Sequence, residues 1–241
     1  MTVQELKTEL AQRYPYRIEL HAHTRPASVC SEISPKELVD TYKALCYHGI
    51  VVTNHFVYQY DSMSKEEYLD FCLHDFEETE KYGEEQGMKA YLGAEIRFTD
   101  SCNDYLVFGV DRNILSEIYD LLPYGFENFR KQCELPNSVL VQAHPMRNGC
   151  EPVDPLLLDG VEVYNMHPGH NSRVGLAALY AGKTDRLIVT AGSDYHHPKK
   201  NHEGLAAIRT THLPNDSFEL AGLLRNKNYL LEIAGNHFII P

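Results

Sequence analysis

The sequence predicts an α/β protein built as a closed barrel, and three observations carry that prediction. Short apolar strands alternate with helical segments about seven times along the chain. One strand after another ends in His, Asp or Glu. No internal repeat, low-complexity segment or linker interrupts the 241 residues, so 1–241 is read as a single domain. An open, doubly wound sheet would string such end residues along a crevice, whereas the strands of an α/β barrel bring their C-terminal ends to one mouth. The barrel accounts better for the distribution.

Composition narrows the class. Hydrophobic residues make up 43% and charged residues 23%, as in ordinary soluble globular chains. A net charge of -12 argues against a nucleic-acid backbone as the main partner. It leaves room for a small phosphorylated substrate, because local Arg and metal charge override a global field. Thirteen histidines are many for this length and point to metal chemistry. Cys30, Cys46, Cys72, Cys102, Cys133 and Cys150 form no C-x-x-C pair and read as thiols rather than a disulfide framework. The first residues carry no signal-peptide run and no stretch is apolar enough to span a membrane, so the cytoplasm is the expected compartment.

The elements follow in order. Residues 2–13 pattern as an amphipathic helix with Val3, Leu6 and Leu10 on one face, expected to pack outside or to plug one end of the fold. Residues 16–24 form a strand, and Pro26 opens a loop over 25–34. Ser34 caps a helix that starts at Pro35, buries Leu38, Tyr42 and Leu45, and ends at Gly49. Residues 50–53 are a buried strand running into Asn54-His55. A long helix covers 64–86 and closes at Gly87. Residues 89–98 hold a strand with Glu95, and Asn103-Asp104 opens another over 105–110. Two shorter helical pieces lie within 112–134. Strands then cover 138–143, ending in His144-Pro145, and 160–164, ending in Asn165. A helix at 171–181 precedes a strand at 187–191, which leads into Gly192-Ser193-Asp194-Tyr195-His196. The tail holds a strand (205–210), a helix (216–225) and an extended stretch.

Eight of these strand-end positions carry ligand-type side chains: His21, His23, His55, Glu95, Asp104, His144, Asp194 and His196. Residues two apart on a strand share a face, so His21 and His23 aim at one point, and Asp194 and His196 repeat the spacing. Mixed imidazole and carboxylate donors suit Zn, Mn or Fe rather than Ca or Mg. Eight exceed what one tetrahedral site needs, and two or three divalent ions sharing a bridging carboxylate fit the count. Ions roughly 3.5–4 Å apart can hold a hydroxide and the leaving oxygen of a phosphate ester. Arg97, Arg147 and Arg173 stand beside the motifs as candidate phosphate clamps. His167 and His170 follow a strand and either line the pocket or belong to its loop. His197 points away from His196 in an extended segment, and His48, His74, His202, His212 and His237 read as structural or surface residues.

His21-Ala22-His23-Thr24, Thr53-Asn54-His55, Gly93-Ala94-Glu95, Ala143-His144-Pro145 and Gly192-Ser193-Asp194-Tyr195-His196 resemble, in order and spacing over residues 17–198, the successive motifs of the PHP (polymerase and histidinol phosphatase) family. The resemblance implies a distorted (β/α)7 TIM-like barrel, a trinuclear metal site at the strand C-termini and phosphoesterase chemistry. It assigns one metal to His21, His23, Glu95 and Asp194, with Glu95 bridging to a second metal that His144 also binds. The family usually places a histidine at that second metal where this chain has Asp104. A third metal falls to His55 and His196. The usual Thr-Asp-His is Thr53-Asn54-His55 here, and the loop after the first motif offers no acid at the expected spacing, only the later Glu32 and the softer donor Cys30.

The implied reaction is attack of a metal-activated hydroxide on a phosphate mono- or diester, with Asp194 and His196 moving protons. Two other readings stay open. One is a non-catalytic or partly degenerate PHP-like metal-binding module. The other is an amidohydrolase-type C–N hydrolase, whose barrel also opens with His-x-His.

Overall fold

The structure is a computed structural model and describes residues 1–59, 62–198 and 205–241. His202 lies outside the described residues.

Among the described residues, eleven strands form one curled sheet. Seven of them make the barrel: β1 (Tyr16–Ala22), β2 (Gly49–Val52), β4 (Lys89–Arg97), β5 (Asp104–Phe108), β6 (Val139–Gln142), β7 (Gly160–Asn165) and β8 (Ile188–Gly192). Pairs β1–β2, β2–β4, β6–β7 and β7–β8 run parallel. β8 returns beside β1 through a parallel bridge between Ala22 and Tyr195, with His23 N donating to Tyr195 O (3.0 Å) and Tyr195 N to His21 O (3.2 Å). The curled sheet fits the distorted barrel the sequence implied.

Three features depart from an even strand–helix rhythm. β5 is antiparallel to both β4 and β6, so Asp104 begins its strand yet lies at the mouth, paired with Arg97 at the end of β4. β3 (His55–Val57) is a short strand that pairs His55 with Glu95. The extended tail proves to be a hairpin of β10 (Leu230–Ile233) and β11 (His237–Ile239), which extends β9 (Ala206–Thr210), itself antiparallel to β1.

Helix boundaries follow their capping chemistry. α1 (Val3–Arg13), α2 (Pro35–Ala44) and α3 (Lys65–Gln86) each start with a reciprocal capping box, from Thr2/Glu5, Ser34/Glu37 and Ser64/Glu67. Gly87 ends α3 in the left-handed conformation, φ 73°. α2 stops before Gly49, which instead opens β2. α4 (Arg112–Leu121) and α7 (Ser217–Arg225) are capped by Asp111 and Asp216, whereas α5 (Phe126–Gln132) and α6 (Val174–Ala181) have no side-chain cap. No described helix is long and apolar enough to cross a membrane.

The strand faces divide the core. Ile18, Leu20, Val51, Leu106, Phe108, Val139, Val141 and Ile188 pack with Leu220, Ala221 and Leu224 of α7. A second cluster joins Ile96, Tyr105, Val107 and Val161 to α3–α6, and a third joins Ala22, Ile50 and Ala207 to α2. α7 therefore stops the end of the barrel opposite Glu95. α1 does not take that place: none of its residues is buried, because three spaced apolar side chains among charged ones offer too little area to dock. Leu220, fully buried, is a test of the plug. Leu220→Ala is expected to lower the unfolding free energy by about 2–5 kcal/mol. The readout is a shifted urea midpoint at unchanged slope; an unchanged midpoint would remove α7 from the core.

Candidate metal centre

The backbone turns the donors inward at the mouth. Ile18 and Leu20 face the cluster that α7 plugs, and continued alternation would send Ala22 there too. The β1–β2 register instead shifts between Glu19 and Ala22, and Ala22 packs outward against α2. A bulge of this kind re-aims the side chains that follow it, and His21 and His23 become fully buried within the mouth. His144 after β6 and Asp194 after β8 hold φ values of 28° and 49°, uncommon for residues with a Cβ. Such strain collects where function requires a particular side-chain direction.

All eight predicted donors meet in one cluster, with Glu95 at its centre. Glu95 Oε1 lies 3.3 Å from His21 Nε2 and 3.1 Å from His144 Nε2. Glu95 Oε2 lies 3.5 Å from His23 Nε2 and 2.7 Å from His55 Nδ1. Asp194 Oδ1 sits 3.6, 3.4 and 3.2 Å from His21, His23 and His196. Asp104 Oδ2 is 3.7 Å from His144 Nε2. His55 is the most open of the eight, its side chain 27% exposed. Among the described residues, three triads have donor atoms within 4.8 Å of one another: His21/His23/Glu95, Glu95/Asp104/His144 and His23/His55/His196.

The donor chemistry fits a cation. His21 Nε2, His23 Nε2 and Glu95 Oε2 are buried without a hydrogen-bond partner, the last despite its short but misaligned approach to His55. Leaving polar atoms dry and unpaired is costly, and three of them facing one another are satisfied together by a metal ion. The local field agrees. Burial opposes protonation of His21, but Glu162, Asp194 and Glu95 outweigh it and hold its pKa well above the usual range. His55 and His144 are lifted to about 10 and His196 to about 9: burial opposes each shift and is overcome by Glu95 and then Cys30 at His55, by Cys150 and then Glu95 at His144, and by Asp194 and then Cys30 at His196. Glu95 and Asp194 fall well below the carboxylate range: burial raises them, and the surrounding histidines more than compensate. The pocket thus favours positive charge. His23 is the exception, kept neutral by burial and by His196 and His55, with its lone pair ready to ligate.

A second layer orients these groups. Glu162 Oε1 lies 2.8 Å from His21 Nδ1, while Oε2 accepts from His144 N (3.0 Å) and Asn165 Nδ2 (2.9 Å). Asn165 Nδ2 also reaches Asp194 Oδ2 at 3.1 Å. Glu19 accepts from His21 N, Ser193 N and Tyr42 OH, and burial raises its pKa to about 7 against those hydrogen bonds. Asn54 works as a neutral hub: its Oδ1 accepts from Thr24 N (2.7 Å) and Ser28 Oγ (2.9 Å), and its Nδ2 donates to Thr24 Oγ1 (2.8 Å). Ser28 Oγ in turn stands 3.2 Å from His23 Nδ1. Gly192 has no room for a side chain, since a Cβ there would strike His21 and Glu162.

Glu19 and Glu162 went unread in the sequence, although each is a lone carboxylate inside an apolar strand. His170 Nδ1 comes 3.2 Å from Asp194 Oδ2, with His167 stacked on it at 4.0 Å, so both line the mouth. The arginines are already engaged. Arg97 holds Asp104 bidentately at 2.6 and 2.8 Å, and Arg147 adds a contact at 3.0 Å. Arg173 donates to Met146 O (2.6 Å) and contacts Asn148 Oδ1.

Glu162→Gln is expected to weaken metal binding by about 10–100-fold, because the carboxylate that sets the His21 ring is lost. Competition with a chromogenic chelator measures it; unchanged affinity would make Glu162 merely a core residue.

No family model matches the sequence, and no curated protein matches it. Solved structures do. A provisionally named metal-dependent phosphoesterase of Bifidobacterium adolescentis matches at 19% identity and TM-score 0.50, over 74% of this chain and 87% of its own. A two-domain protein of Bacteroides vulgatus, with a provisionally assigned PHP-like metal-dependent phosphoesterase, matches at 17% identity and TM-score 0.57, over 91% of this chain and 65% of its own. An amidohydrolase of Chromobacterium violaceum, with bound sulfate and no metal, matches at 14% identity and TM-score 0.51, over 76% of this chain and 89% of its own. The chain thus has the fold of structures named for PHP-like and metal-dependent phosphoesterases, the fold that its motif order implied.

Proposed function

We propose that residues 1–241 act as one metal-dependent hydrolase unit that cleaves a phosphate ester of a small phosphorylated substrate at the barrel mouth. The observation that carries this reading is Glu95, a buried carboxylate with four imidazoles within 3.5 Å. His21, His23, Glu95 and Asp194 would hold one divalent ion, and Glu95, His144 and Asp104 a second. His55 and His196, beside His23, would hold a third. When bound, such ions supply Lewis acidity toward the phosphoryl oxygens and toward the attacking water; Zn, Mn and Fe suit the donors.

The chain's own groups do the rest. Glu162 and Ser28 keep the His21 and His23 rings turned into the pocket. While the third position holds no ion, His196, its Nδ1 turned to Asp194, has Nε2 free to exchange a proton, and Asp194 steadies the imidazolium that results. Arg97 and Arg147 are partly exposed beside Asp104 and set a positive wall that an anionic substrate can approach. Arg173 completes that wall from the loop after β7, tied to the loop after His144.

The amidohydrolase match supports a second reading, hydrolysis of a C–N bond on the same scaffold. Metal-loaded protein assayed on a phosphate monoester, a phosphate diester and a panel of amides separates the two: phosphate release is expected, and amide cleavage alone would replace the first reading with the second. His21→Ala and Asp194→Ala are expected to lose metal and activity together, with kcat/KM down at least about 100-fold, or about 2.7 kcal/mol. Full metal content and rate in both variants would refute the assignment. Asp104→Ala is expected to empty only the position shared with Glu95 and His144. An anomalous map showing that position still full would leave Asp104 a purely structural role.

A further inference from the structure

The loops that carry Asp104 and His144 each carry a cysteine as well: Cys102 just before Asp104, and Cys150 after His144. Two successive turns fold the second loop back on its own start. Arg147 N donates to His144 O (2.9 Å), Cys150 N donates to Arg147 O (3.0 Å), and Gly149 between them takes φ 90°. The Cys150 thiol thereby comes to donate to Cys102 O at 3.5 Å, while its sulfur lies 3.9 Å from His144 Nδ1. A reciprocal pair fastens the next two residues. Asn103 Nδ2 donates to Glu151 O (2.9 Å), and Glu151 N donates to Asn103 Oδ1 (2.9 Å). Gln142 Nε2 also donates to Glu151 O (2.9 Å). Residues 102–103 and 150–151 are thus fixed side by side, and standard bond lengths put the Cys150 sulfur within about 6 Å of the Cys102 Cα.

We propose that Cys102 and Cys150 are a redox modification site, joined by hydrogen peroxide in a reversible disulfide that takes the Cys150 sulfur away from His144. The link itself is independent of the metal-dependent reading above; its effect on the ion shared by Glu95, Asp104 and His144 rests on that reading.

The two thiols are placed for the two halves of the reaction. Cys102 is exposed and meets the oxidant first, whereas Cys150 is half-buried behind it. The Cys102 sulfur attacks one peroxide oxygen, the O–O bond breaks, and the thiol proton leaves with the departing hydroxide as water, giving a sulfenic acid. The Cys150 sulfur attacks that sulfenic sulfur, the S–O bond breaks, and the Cys150 proton leaves in a second water as the S–S bond forms. One peroxide is reduced and two thiols are oxidised, and a dithiol reductant reverses the bond. In the reduced state the Cys150 thiol proton is given to Cys102 O, so the sulfur accepts from His144 Nδ1–H and leaves Nε2 turned to Glu95 at 3.1 Å. Oxidation removes that partner, and a histidine ligand weakens when the support of its other ring nitrogen is lost.

Full-length protein, first reduced and then treated with stoichiometric hydrogen peroxide, tests this by peptide mapping without reductant. The expected product is a crosslinked peptide pair containing Cys102 and Cys150, lost on adding dithiothreitol and absent in Cys102→Ser. Chelator competition on the same samples is expected to show one ion bound about 10–100-fold less tightly after oxidation, with Cys102→Ser unaffected by the same treatment. Metal-loaded, phosphate-releasing protein that forms no such link, or that pairs either cysteine elsewhere, would overturn this inference and leave the proposed function standing. Linked protein that holds every ion as tightly as before would overturn the control of His144. Reduced protein that binds no metal yet forms the link would overturn the proposed function and leave the modification site standing.

Discussion

A carboxylate taken out of water must find positive charge, and Glu95 is taken out almost completely, at 1% exposure. The rest of the mouth answers that demand. Four imidazoles surround it, three of them drawn toward the protonated form by their carboxylate neighbours, while His23 is held neutral. The arrangement is poorly suited to simple stability. An apolar residue in place of Glu95 would relieve its desolvation, and buried ion pairs seldom return more than they cost. A cluster that keeps several donor atoms dry and unpaired is shaped for a cation.

The backbone accepts further strain to serve that cluster. His144 and Asp194 sit in left-handed conformations, the β1 register shifts just before His21, and Gly192 leaves no space between His21 and Glu162. These features lie at the mouth, whereas the opposite end, stopped by α7, is ordinary apolar packing. Stability and chemistry are thereby separated along the barrel axis, as the fold class leads one to expect.

The sequence displayed the parts of this design that depend on composition and spacing. Each donor stands at a strand end, and the helix starts at Ser34 and Ser64 follow from capping residues. What depends on direction or contact was hidden. Period-two alternation does not tell a parallel strand from an antiparallel one, so β5 looked like another turn of the same rhythm. Glu19 and Glu162 occupy alternating positions that usually face solvent, and only tertiary pairing with Ser193 and His21 shows them buried. The bulge in β1 has no signature, since no Gly or Pro marks it. Asn54, met as a departure from an expected acid, becomes intelligible once its three hydrogen bonds to Thr24 and Ser28 are seen: a neutral amide both donates and accepts there, which an ionised carboxylate cannot do.

Asp104 is the remaining departure, and charge explains it. A carboxylate where the resemblance implies an imidazole adds one negative charge to a site already holding Glu95 and Asp194. Arg97 grips both of its oxygens, and Arg147 takes Oδ2 as well. The two guanidiniums offset the added charge and fix the carboxylate plane, with Oδ2 left between Arg147 and His144. Asp104 is thus oriented from behind by fixed cations, much as Glu162 orients His21 from behind by a fixed anion. In the proposed metal-binding role, Asp104 would replace an imidazole donor with a harder carboxylate and reverse the sign of the support behind it.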